Sequence, residues 1–485
     1  MIDRLRCVTP QQLIRGVACA AFMGLLATLS VSVAAGQAAG QSTAAERSIV
    51  EDYGPVTAAM LIDPPAGDWL MWRRTYGHWG YSPLEQINRS NVDELRLAWA
   101  WTMERGLQET TPLVHDGVMF LPQACDFVEA VDARDGTLLW TYRRTRVEHI
   151  ARLACANRNA VLFGDRLFIA THDAFLVALN ALTGEVEWEQ QVGDWTIGHH
   201  YSGGPQLIEG QVVAGMSGCY YINTRCWISA HDPETGVELW RTHTLAYSGE
   251  PGGDTWGDVP DEERRGGSSW IAPSYDPELG LIFAGVAVPV PWGSVQRGKV
   301  GDALYTNSTL ALDASTGQPV LDFGDRGRVD LMAGIPRAVR GETNYRGRNL
   351  MGVASPPIVA HDVVVTPSVI SDGAIRKEAP PGWLKGVDAR TGDPWVPQGP
   401  SWSGFESACA QGWGYSGLDP LGEDAEAEQA ALIASWGADT VRLPLNQDCW
   451  LGTRGAPVSD DFVERTPEGY RRAVGRFVEA LHEEG

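Results

Sequence analysis

"VDARDGTLLW", residues 131–140, is a decapeptide that the chain repeats. The copies at 179–188 and 231–240 read "LNALTGEVEW" and "HDPETGVELW", and two altered copies at 312–321 and 387–396 read "LDASTGQPVL" and "VDARTGDPWV". Each copy has an Asp or Asn followed four residues later by a glycine, which supplies the positive φ that a tight hairpin turn needs. The repeat therefore predicts a series of β-hairpins, with the tryptophan after each turn packed between neighbouring sheets. The fourth copy lacks this tryptophan.

A short apolar strand precedes each hairpin turn, as in "GDRLFIATH" at 164–172 and "HDVVVTPS" at 361–368. Alternating apolar residues bounded by Gly, Asp and Pro are typical of short antiparallel strands. The turn glycines are residues 136, 184, 236, 317 and 392, so the first two intervals are 48 and 52 residues. A period near ~50 residues with four strands per unit is typical of a β-propeller and disfavours the alternative of a β-sandwich. The sequence predicts an all-β propeller of about five to six blades.

The composition excludes some classes of function. Of the 485 residues, 44% are hydrophobic and 20% are charged, which is typical of a globular protein. The formal net charge of −23 argues against a nucleic-acid partner, because binding to a polyanion requires a basic surface.

The first 35 residues have the pattern of an export signal. Three arginines precede an apolar run from Gly16 to Leu29, and "VAA" at 33–35 offers small residues for cleavage. A transmembrane anchor is the alternative, but the run is short for the ~20 residues that a span needs. We expect residues 1–35 to be a signal peptide, residues 36–66 to be a linker, and the protein to be periplasmic or secreted.

Export would make disulfide bonds possible. Cys219 and Cys226 could close a short loop, and free buried thiols are the alternative. No cysteine lies in a Cys-x-x-Cys-His haem signature or in a zinc-type Cys-x-x-Cys pair.

Three stretches of the chain resemble quinoprotein alcohol and sugar dehydrogenases. They are "GDWLMWRRTYGHWGYSPLEQINRSNVDELRLAWAW" at 67–101, "GGSSWIAPSYDPELGLIFAG" at 266–285 and "GDALYTNSTLALDASTG" at 301–317. Members of that family are exported eight-bladed propellers that use pyrroloquinoline quinone (PQQ). The resemblance extends over residues 67 to 396 and implies a PQQ-dehydrogenase-like β-propeller at 67–398, which would be incomplete here. It also implies an oxidoreductase that takes electrons from an alcohol or a sugar and passes them to an external cytochrome or a membrane quinone.

The same resemblance implies which residues would bind PQQ. Trp270 in "GGSSW" matches the platform under the quinone ring, and Arg158 in "ANRNA" matches the cation at its polar edge. Glu109 in "QETTPL", Ser202 in "YSGGP" and Ser217 in "GMSG" match hydrogen-bonding positions. A planar, tricarboxylated quinone needs these residue types, because its face requires an aromatic surface and its carboxylates require cations and hydroxyls. The alternative is that Trp270 is a core residue between blades and that Arg158 forms a surface ion pair.

Two calcium ligands of the family are replaced in this chain. The family holds Ca²⁺ with a Glu and an Asn, and oxygen ligands of this kind suit a hard cation. Tyr220 in "SGCYY" and Val288 in "GVAVPVPW" stand at these positions. The resemblance therefore predicts weak or absent Ca²⁺ binding.

The family's catalytic Asp, which acts as the general base, has no counterpart after the fourth repeat. The chain continues from "LDASTGQP" into "VLDFGDRGRVDLMAGIP", which resembles a later blade of the sugar-type relatives. Asp302, Asp313 and Asp325 are nearby acids outside the expected motif. A non-catalytic propeller that binds a ligand or a partner is therefore the alternative to a dehydrogenase.

Residues 402–485 resemble the beginning of family-five glycoside hydrolases, which are (β/α)₈ barrels. The resemblance rests on "WSGFESACAQGWGYSGL" at 402–418 and on "ALIASWGADTVRLPLNQDCWLG" at 431–452, where Arg442 matches an active-site arginine. The spacing of apolar residues in "YRRAVGRFVEALHEEG" predicts a helix at the end of the chain. The two carboxylates that glycoside cleavage requires would lie on later strands. We therefore expect a partial, non-catalytic α/β barrel fragment, and a glycoside hydrolase is the third and least supported function.

Overall fold

The computed structural model describes most of the chain beyond residue 52. The described residues are 53–88, 90–145, 155–220, 224–293, 297, 301–325, 327–353, 355–360, 362–371, 379–395, 400, 402, 405, 425–436, 441–451 and 467–484. Contacts between Cα atoms divide the chain into the units Met1–Ala44 and Ala45–Gly485, and the described residues belong to the second unit. The predicted signal peptide at 1–35 and most of the predicted linker lie outside the described residues.

Antiparallel sheets of three or four strands, numbered here as blades 1 to 5, follow one another along the chain. Blade 1 has the strands Leu113–His115, Val118–Gln123, Phe127–Asp132 and Leu138–Arg143. Blade 2 has the strands Val161–Phe163, Arg166–Ala170, Phe175–Asn180 and Val186–Gln191. Blade 3 has the strands Gln206–Ile208, Gln211–Gly215, Trp227–His231 and Glu238–His243. Blade 4 has the strands Ser274–Asp276, Leu281–Val286 and Ser308–Asp313, and blade 5 has Ile358–Ala360, Val363–Pro367, Leu384–Asp388 and Pro394–Trp395. Two short pairs, Arg265–Gly266 with Pro289–Val290 and Met351–Gly352 with Val369–Ile370, complete the strands of the described residues.

The repeated decapeptides form the predicted hairpin turns. The turn glycines 136, 184, 236, 317 and 392 have φ values between 71° and 78°. In blades 1 to 3 a bulge lies in the same place between the third and fourth strands, so that Trp140, Trp188 and Trp240 pair with Ala130, Ala178 and Ala230. An equivalent hairpin with an equivalent bulge gives each tryptophan the same direction, which confirms the repeat as the unit of the fold.

Each of these tryptophans packs on the turn glycine of the next blade. A Cβ atom at Gly184 would lie 2.5 Å from the Trp140 ring, one at Gly236 would lie 2.8 Å from the Trp188 ring, and Gly317 meets Trp240 in the same way. The Trp140 indole also donates a hydrogen bond of 2.9 Å to the Ala181 carbonyl. The predicted position of the tryptophans between sheets is confirmed, and the glycines are required for close approach as well as for φ.

A phenylalanine replaces the tryptophan that the fourth repeat lacks. Blade 4 has three strands within the described residues, and after its turn the chain bridges back only at Leu312 and Pro319. Phe323 then packs on the turn glycine of blade 5, where a Cβ atom at Gly392 would lie 2.8 Å from its ring. The contact between blades 4 and 5 is therefore kept with another aromatic residue.

The helices are few. Short helices span Ala58–Ile62 and Gln447–Leu451, longer ones span Ala425–Ser435 and Pro467–Glu483, and single 3-10 turns span Val92–Glu94, Gly253–Trp256 and Asp261–Glu263. The last helix confirms the helix expected near the end of the chain. Its buried Tyr470 and Phe477 pack with Phe405 in a hydrophobic cluster separate from the large core of blades 1 to 4. Within the described residues, no helix has both the length and the apolar character needed to cross a membrane.

Candidate functional site

The site is built on loops that connect the strands of blade 3 and on the chain that leads into blades 2 and 4. Ser202 lies in the loop before the first strand of blade 3, and Ser217 follows its second strand. His200 and Ser217 form an isolated antiparallel bridge, with backbone hydrogen bonds of 3.2 Å and 2.9 Å in the two directions. The hydroxyls of Ser202 and Ser217 lie 3.3 Å apart. The structure therefore brings the two predicted serines together.

Asn159 fixes the loop that carries Ser202. Its Nδ2 donates to the Pro205 carbonyl over 3.0 Å, and its Oδ1 accepts from the Gly204 amide over 2.7 Å. Gly204 lies so close to the Asn159 carbonyl that a side chain has no room there. Asn159 thus joins the segment before the first strand of blade 2 to the segment before the first strand of blade 3, which places Arg158 beside Ser202.

Arg158 connects three of the predicted residues. Its guanidinium donates to the Ser202 carbonyl over 2.7 Å and forms an ion pair with Glu109. Its Cζ also lies 4.8 Å from the centroid of the Trp270 ring. Burial lowers the pKa of Arg158, and the Glu109 carboxylate raises it less than burial lowers it. A partly buried guanidinium of this kind favours a further anionic partner.

Trp270 is half-buried, and its backbone is tightly held. A Cβ atom at Gly203 would lie 2.7 Å from the Trp270 carbonyl oxygen, and the preceding Ser269 amide donates to Met216 over 3.1 Å. The ring is not a fully buried core residue between blades, and one side of it faces Arg158. The five predicted residues Glu109, Arg158, Ser202, Ser217 and Trp270 thus form one connected set. The alternative interpretation was that Arg158 forms a surface ion pair. An ion pair is present, and Glu109 is its partner.

Asn157, which directly precedes Arg158 in the chain, is a candidate that the sequence analysis missed. It is 1% exposed, and neither its Nδ2 nor its Oδ1 has a hydrogen-bond partner among the described residues. Unsatisfied buried amides are rare and often mark a place for a ligand or an ordered water. The run Asn157-Arg158-Asn159 directly before an apolar strand was the available signal, because three polar residues with large side chains at a buried strand entry need partners.

Two disulfide bonds hold the loops around the site. The Cys219–Cys226 bond is present, in agreement with one of the two alternatives for these cysteines. The Cys125–Cys155 bond was not predicted and joins the loop of blade 1 to the segment that leads into Asn157. A separation of 30 residues gave no local signal for this pair.

Tyr220 and Val288, at the two positions that the resemblance assigns to calcium ligands, do not supply the carboxylate and amide oxygens that Ca²⁺ prefers. The Tyr220 ring lies 6.4 Å from the Trp292 ring, and the Val288 carbonyl accepts from the Gly267 amide over 3.3 Å. Within the part of the chain that the structure describes, no group of three His, Cys, Asp or Glu side chains is placed to hold a metal ion. These residues do not fit Ca²⁺, and the expectation of weak calcium binding remains to be measured.

The three acids near the fourth repeat are engaged elsewhere. Asp302 forms an ion pair with Arg340, and Asp313 accepts hydrogen bonds from the Ser315 and Thr316 side chains within its own turn. The backbone of Asp325 pairs with Arg328 over 2.8 Å. No contact of these acids joins them to Trp270 or Arg158 among the described residues.

The sequence matches the model of the PQQ glucose/ethanol/alcohol dehydrogenase β-propeller domain over residues 69–321 and 303–396. The chain belongs to this family. It is 31% identical to the quinohemoprotein alcohol dehydrogenase ADH-IIG of Pseudomonas putida over 468 residues, which cover 92% of this chain and 62% of that protein. It is 38% identical to the quinohemoprotein alcohol dehydrogenase ADH IIB of Pseudomonas putida over 279 residues, which cover 54% of this chain and 40% of that protein.

A solved structure supports the propeller fold of this family member. The quinohemoprotein alcohol dehydrogenase ADHIIG from Pseudomonas putida HK5 superposes with a TM-score of 0.55 at 30% identity, covering 71% of this chain and 50% of that one. The chain therefore spans about 40% to 62% of the length of these curated relatives. The glycoside hydrolase resemblance of residues 402–485 is not borne out by these comparisons.

Proposed function

We propose that this chain is a quinoprotein-type oxidoreductase that binds PQQ at the site around Trp270 and Arg158 and oxidises an alcohol. The observation that carries the proposal is the connected set of an indole, a guanidinium and two hydroxyls, formed by loops that are far apart in sequence. Membership of the PQQ dehydrogenase family supports the same cofactor.

The residues present fit the chemistry of PQQ. Its flat ring system suits the half-buried Trp270 ring, and its carboxylates suit Arg158, whose guanidinium already pairs with the Glu109 carboxylate. The unsatisfied amide of Asn157 offers one donor group and one acceptor for the polar edge of a ligand. When bound, PQQ supplies an ortho-quinone that accepts two electrons.

The chain's own residues would bind and orient this group. Trp270 supports the ring, Arg158 holds a carboxylate in place, and Ser202 and Ser217 offer hydroxyls on the floor of the site. Because Ser217 is 3% exposed and Asn157 is 1% exposed, contacts with these two residues would form where little water enters. Hydrogen bonds and ion pairs are stronger in such surroundings than in bulk water.

The substrate and acceptor follow from the same proposal. The relatives named above are alcohol dehydrogenases, which favours an alcohol over a sugar as substrate. Electrons would leave to a cytochrome or a quinone, since quinone-dependent alcohol dehydrogenases are among the relatives of this chain. The apolar run at Gly16–Leu29 supports export to the periplasm.

A propeller that binds PQQ or a related ligand without turnover is the second candidate. It is favoured by Tyr220 and Val288 at the family's calcium positions and by the acids of the fourth repeat, which have other partners. A Lewis acid beside the quinone would otherwise help to polarise it.

Purified full-length protein titrated with PQQ, with and without Ca²⁺, tests both candidates. We expect saturable binding of one quinone per chain, measured by its absorbance, and reduction of an artificial dye on addition of a primary alcohol. Binding without dye reduction would favour the second candidate. Absence of saturable binding under both conditions would refute the PQQ proposal.

A further inference from the structure

His200 lies on the same side of the site as the two serine hydroxyls. Directly opposite residues in an antiparallel bridge carry their side chains on one face, and His200 is opposite Ser217. The Ser217 hydroxyl in turn lies 3.3 Å from that of Ser202. An imidazole and two hydroxyls therefore share one face of the candidate site.

The protonation of the His200 ring follows from its contact with a carbonyl. Nδ1 lies 3.1 Å from the Gly198 carbonyl oxygen, which can only accept, so Nδ1 carries the proton in the neutral ring. Nε2 then holds a lone pair. A Cβ atom at residue 218 would lie 2.8 Å from Nδ1, so Gly218 is required for the ring to take this position.

A second imidazole, held by a buried carboxylate, lies beside the His200 ring. The rings of His172 and His200 are nearly parallel, with an angle of 7° and centroids 6.2 Å apart. Asp126 holds His172 through its Nδ1 over 3.2 Å and its backbone amide over 3.0 Å. Both residues are buried, and Asp126 directly follows Cys125, which is fixed by its disulfide bond to Cys155.

We propose that His200 is the proton acceptor of this site and that His172 and Asp126 are its positioning residues. The proposal rests on the alcohol oxidation proposed above. The O–H bond of the alcohol breaks, and its proton forms an N–H bond at Nε2 of His200. The α-hydrogen and its electron pair leave the carbinol carbon for an ortho-quinone oxidant of the PQQ class, so that an aldehyde and the reduced quinone result. No counterpart of the family's catalytic Asp is then needed.

The surroundings of His200 favour its neutral form, because they lower its pKa. Burial lowers this pKa most, the neighbouring His172 imidazole also lowers it, and the Gly198 carbonyl and Asp126 raise it less. The neighbouring His199 interacts with it through charge as well. A base must be unprotonated to act, so activity is expected to fall as the pH drops through the pKa of His200, below the usual value of ~6.5.

The variant His200→Gln, with His243→Gln as the control, tests the proposal. His243 is a partly buried histidine whose pKa burial also lowers, but it lies on the outer strand of blade 3. We expect His200→Gln to keep PQQ affinity within about threefold and to lower kcat at least ~100-fold, the usual scale for loss of a general base. The residual activity should no longer fall at low pH as the wild-type activity does. Added imidazole should restore part of the lost kcat in the variant His200→Ala. His243→Gln should retain wild-type kcat.

An NMR measurement on the protein without quinone gives a second readout. Nitrogen-15 spectra of the histidines should show His200 protonated at Nδ1 and titrating below ~6.5, and Asp126→Asn should shift this titration. Added PQQ should move the His200 signals and leave those of His243 in place. Wild-type alcohol oxidation with an unchanged kcat and an unchanged fall at low pH in His200→Gln would overturn this proposal alone. Absence of both PQQ binding and alcohol oxidation in the wild type would instead overturn the proposed function.

Discussion

At the scale of single residues, the contact between Arg158 and Trp270 allows a direct test of cofactor binding. We expect Trp270→Ala to weaken PQQ affinity most, because stacking adds ~0.5–1.5 kcal/mol to burial and loss of a large aromatic costs several kcal/mol more. Ser217→Ala removes one hydrogen bond of ~1 kcal/mol, which corresponds to about a fivefold loss. Arg158→Ala should lie between these two or approach the effect of Trp270→Ala, because it removes a charge-assisted contact.

Affinity and melting temperature must be measured together on these three variants. If Trp270 only stabilised the fold, its loss would lower the melting temperature and leave PQQ affinity in the folded fraction unchanged. Because Trp270 is half-buried against Arg158, we expect instead that its loss lowers PQQ affinity in the folded fraction and changes the melting temperature little. Unchanged affinity in all three variants would show that the cofactor lies elsewhere.

Calcium affinity is the second prediction at this scale. Titration calorimetry should detect no tight Ca²⁺ site in the wild type, because Tyr220 and Val288 stand where the resemblance to the family predicts Glu and Asn. The double variant Tyr220→Glu, Val288→Asn restores two oxygen ligands and should gain measurable binding in the presence of PQQ, whose own oxygens would complete the shell. A tight wild-type site that disappears on substitution of another carboxylate would show that a different set of ligands had replaced the family's.

The sequence singled out the five candidate cofactor residues because each lies in a motif that can be matched locally, and the structure places them in contact with one another. The polar run at Asn157 was a signal that the sequence analysis did not use, whereas His200 and the Cys125–Cys155 bond were missed for a physical reason. The significance of these residues depends on contacts between separate loops, such as the bridge between His200 and Ser217. A single sequence without three-dimensional pairing contains no signal for such contacts.

At the scale of the blades, the same hairpin that gives the repeat its sequence signature also holds neighbouring sheets together. The series of contacts between an aromatic ring and a turn glycine begins before blade 1, where Trp99 packs on Gly136 and its indole donates to the Ala133 carbonyl over 3.1 Å. It ends with Phe323 on Gly392. The hairpins could be predicted because turn chemistry is local, whereas the replacement of tryptophan by Phe323 could not, because Phe323 lies outside the decapeptide.

The blade contacts predict unequal effects of two tryptophan substitutions. Trp140→Ala should lower the free energy of unfolding by roughly 3–5 kcal/mol, since Trp140 is 8% exposed and lies between blades 1 and 2. Trp395→Ala in the last strand of blade 5 should cost less than about 1 kcal/mol, since Trp395 is 50% exposed. Urea unfolding followed by circular dichroism measures both. Equal losses would mean that the packing of Trp395 on Gly386 stabilises the fold as much as the packing of Trp140 between blades.

At the scale of the whole molecule, the described part of residues 402–484 has a hydrophobic cluster of its own. Tyr470 binds this cluster together, since its hydroxyl donates to the Phe405 carbonyl over 2.9 Å and accepts from the Asn446 amide over 2.9 Å. The core of blades 1 to 4 is a separate cluster with other members. Stability of the blades and stability of this segment are therefore expected to be separable.

Deletion of residues 402–485 tests this separation and the function of the segment. We expect the shortened chain to bind PQQ with unchanged affinity, because all members of the candidate site lie between Glu109 and Trp270. We also expect no release of reducing sugar from cellulose by the full chain. Glycoside cleavage needs two positioned carboxylates, and the hydrolase resemblance includes Arg442 but no such pair. Tyr470→Phe in the full chain is the matched control, since it disturbs the cluster without removing the segment. A loss of PQQ affinity on deletion would show that the segment supports the site, and cellulose hydrolysis that deletion abolishes would show that the fragment is catalytic.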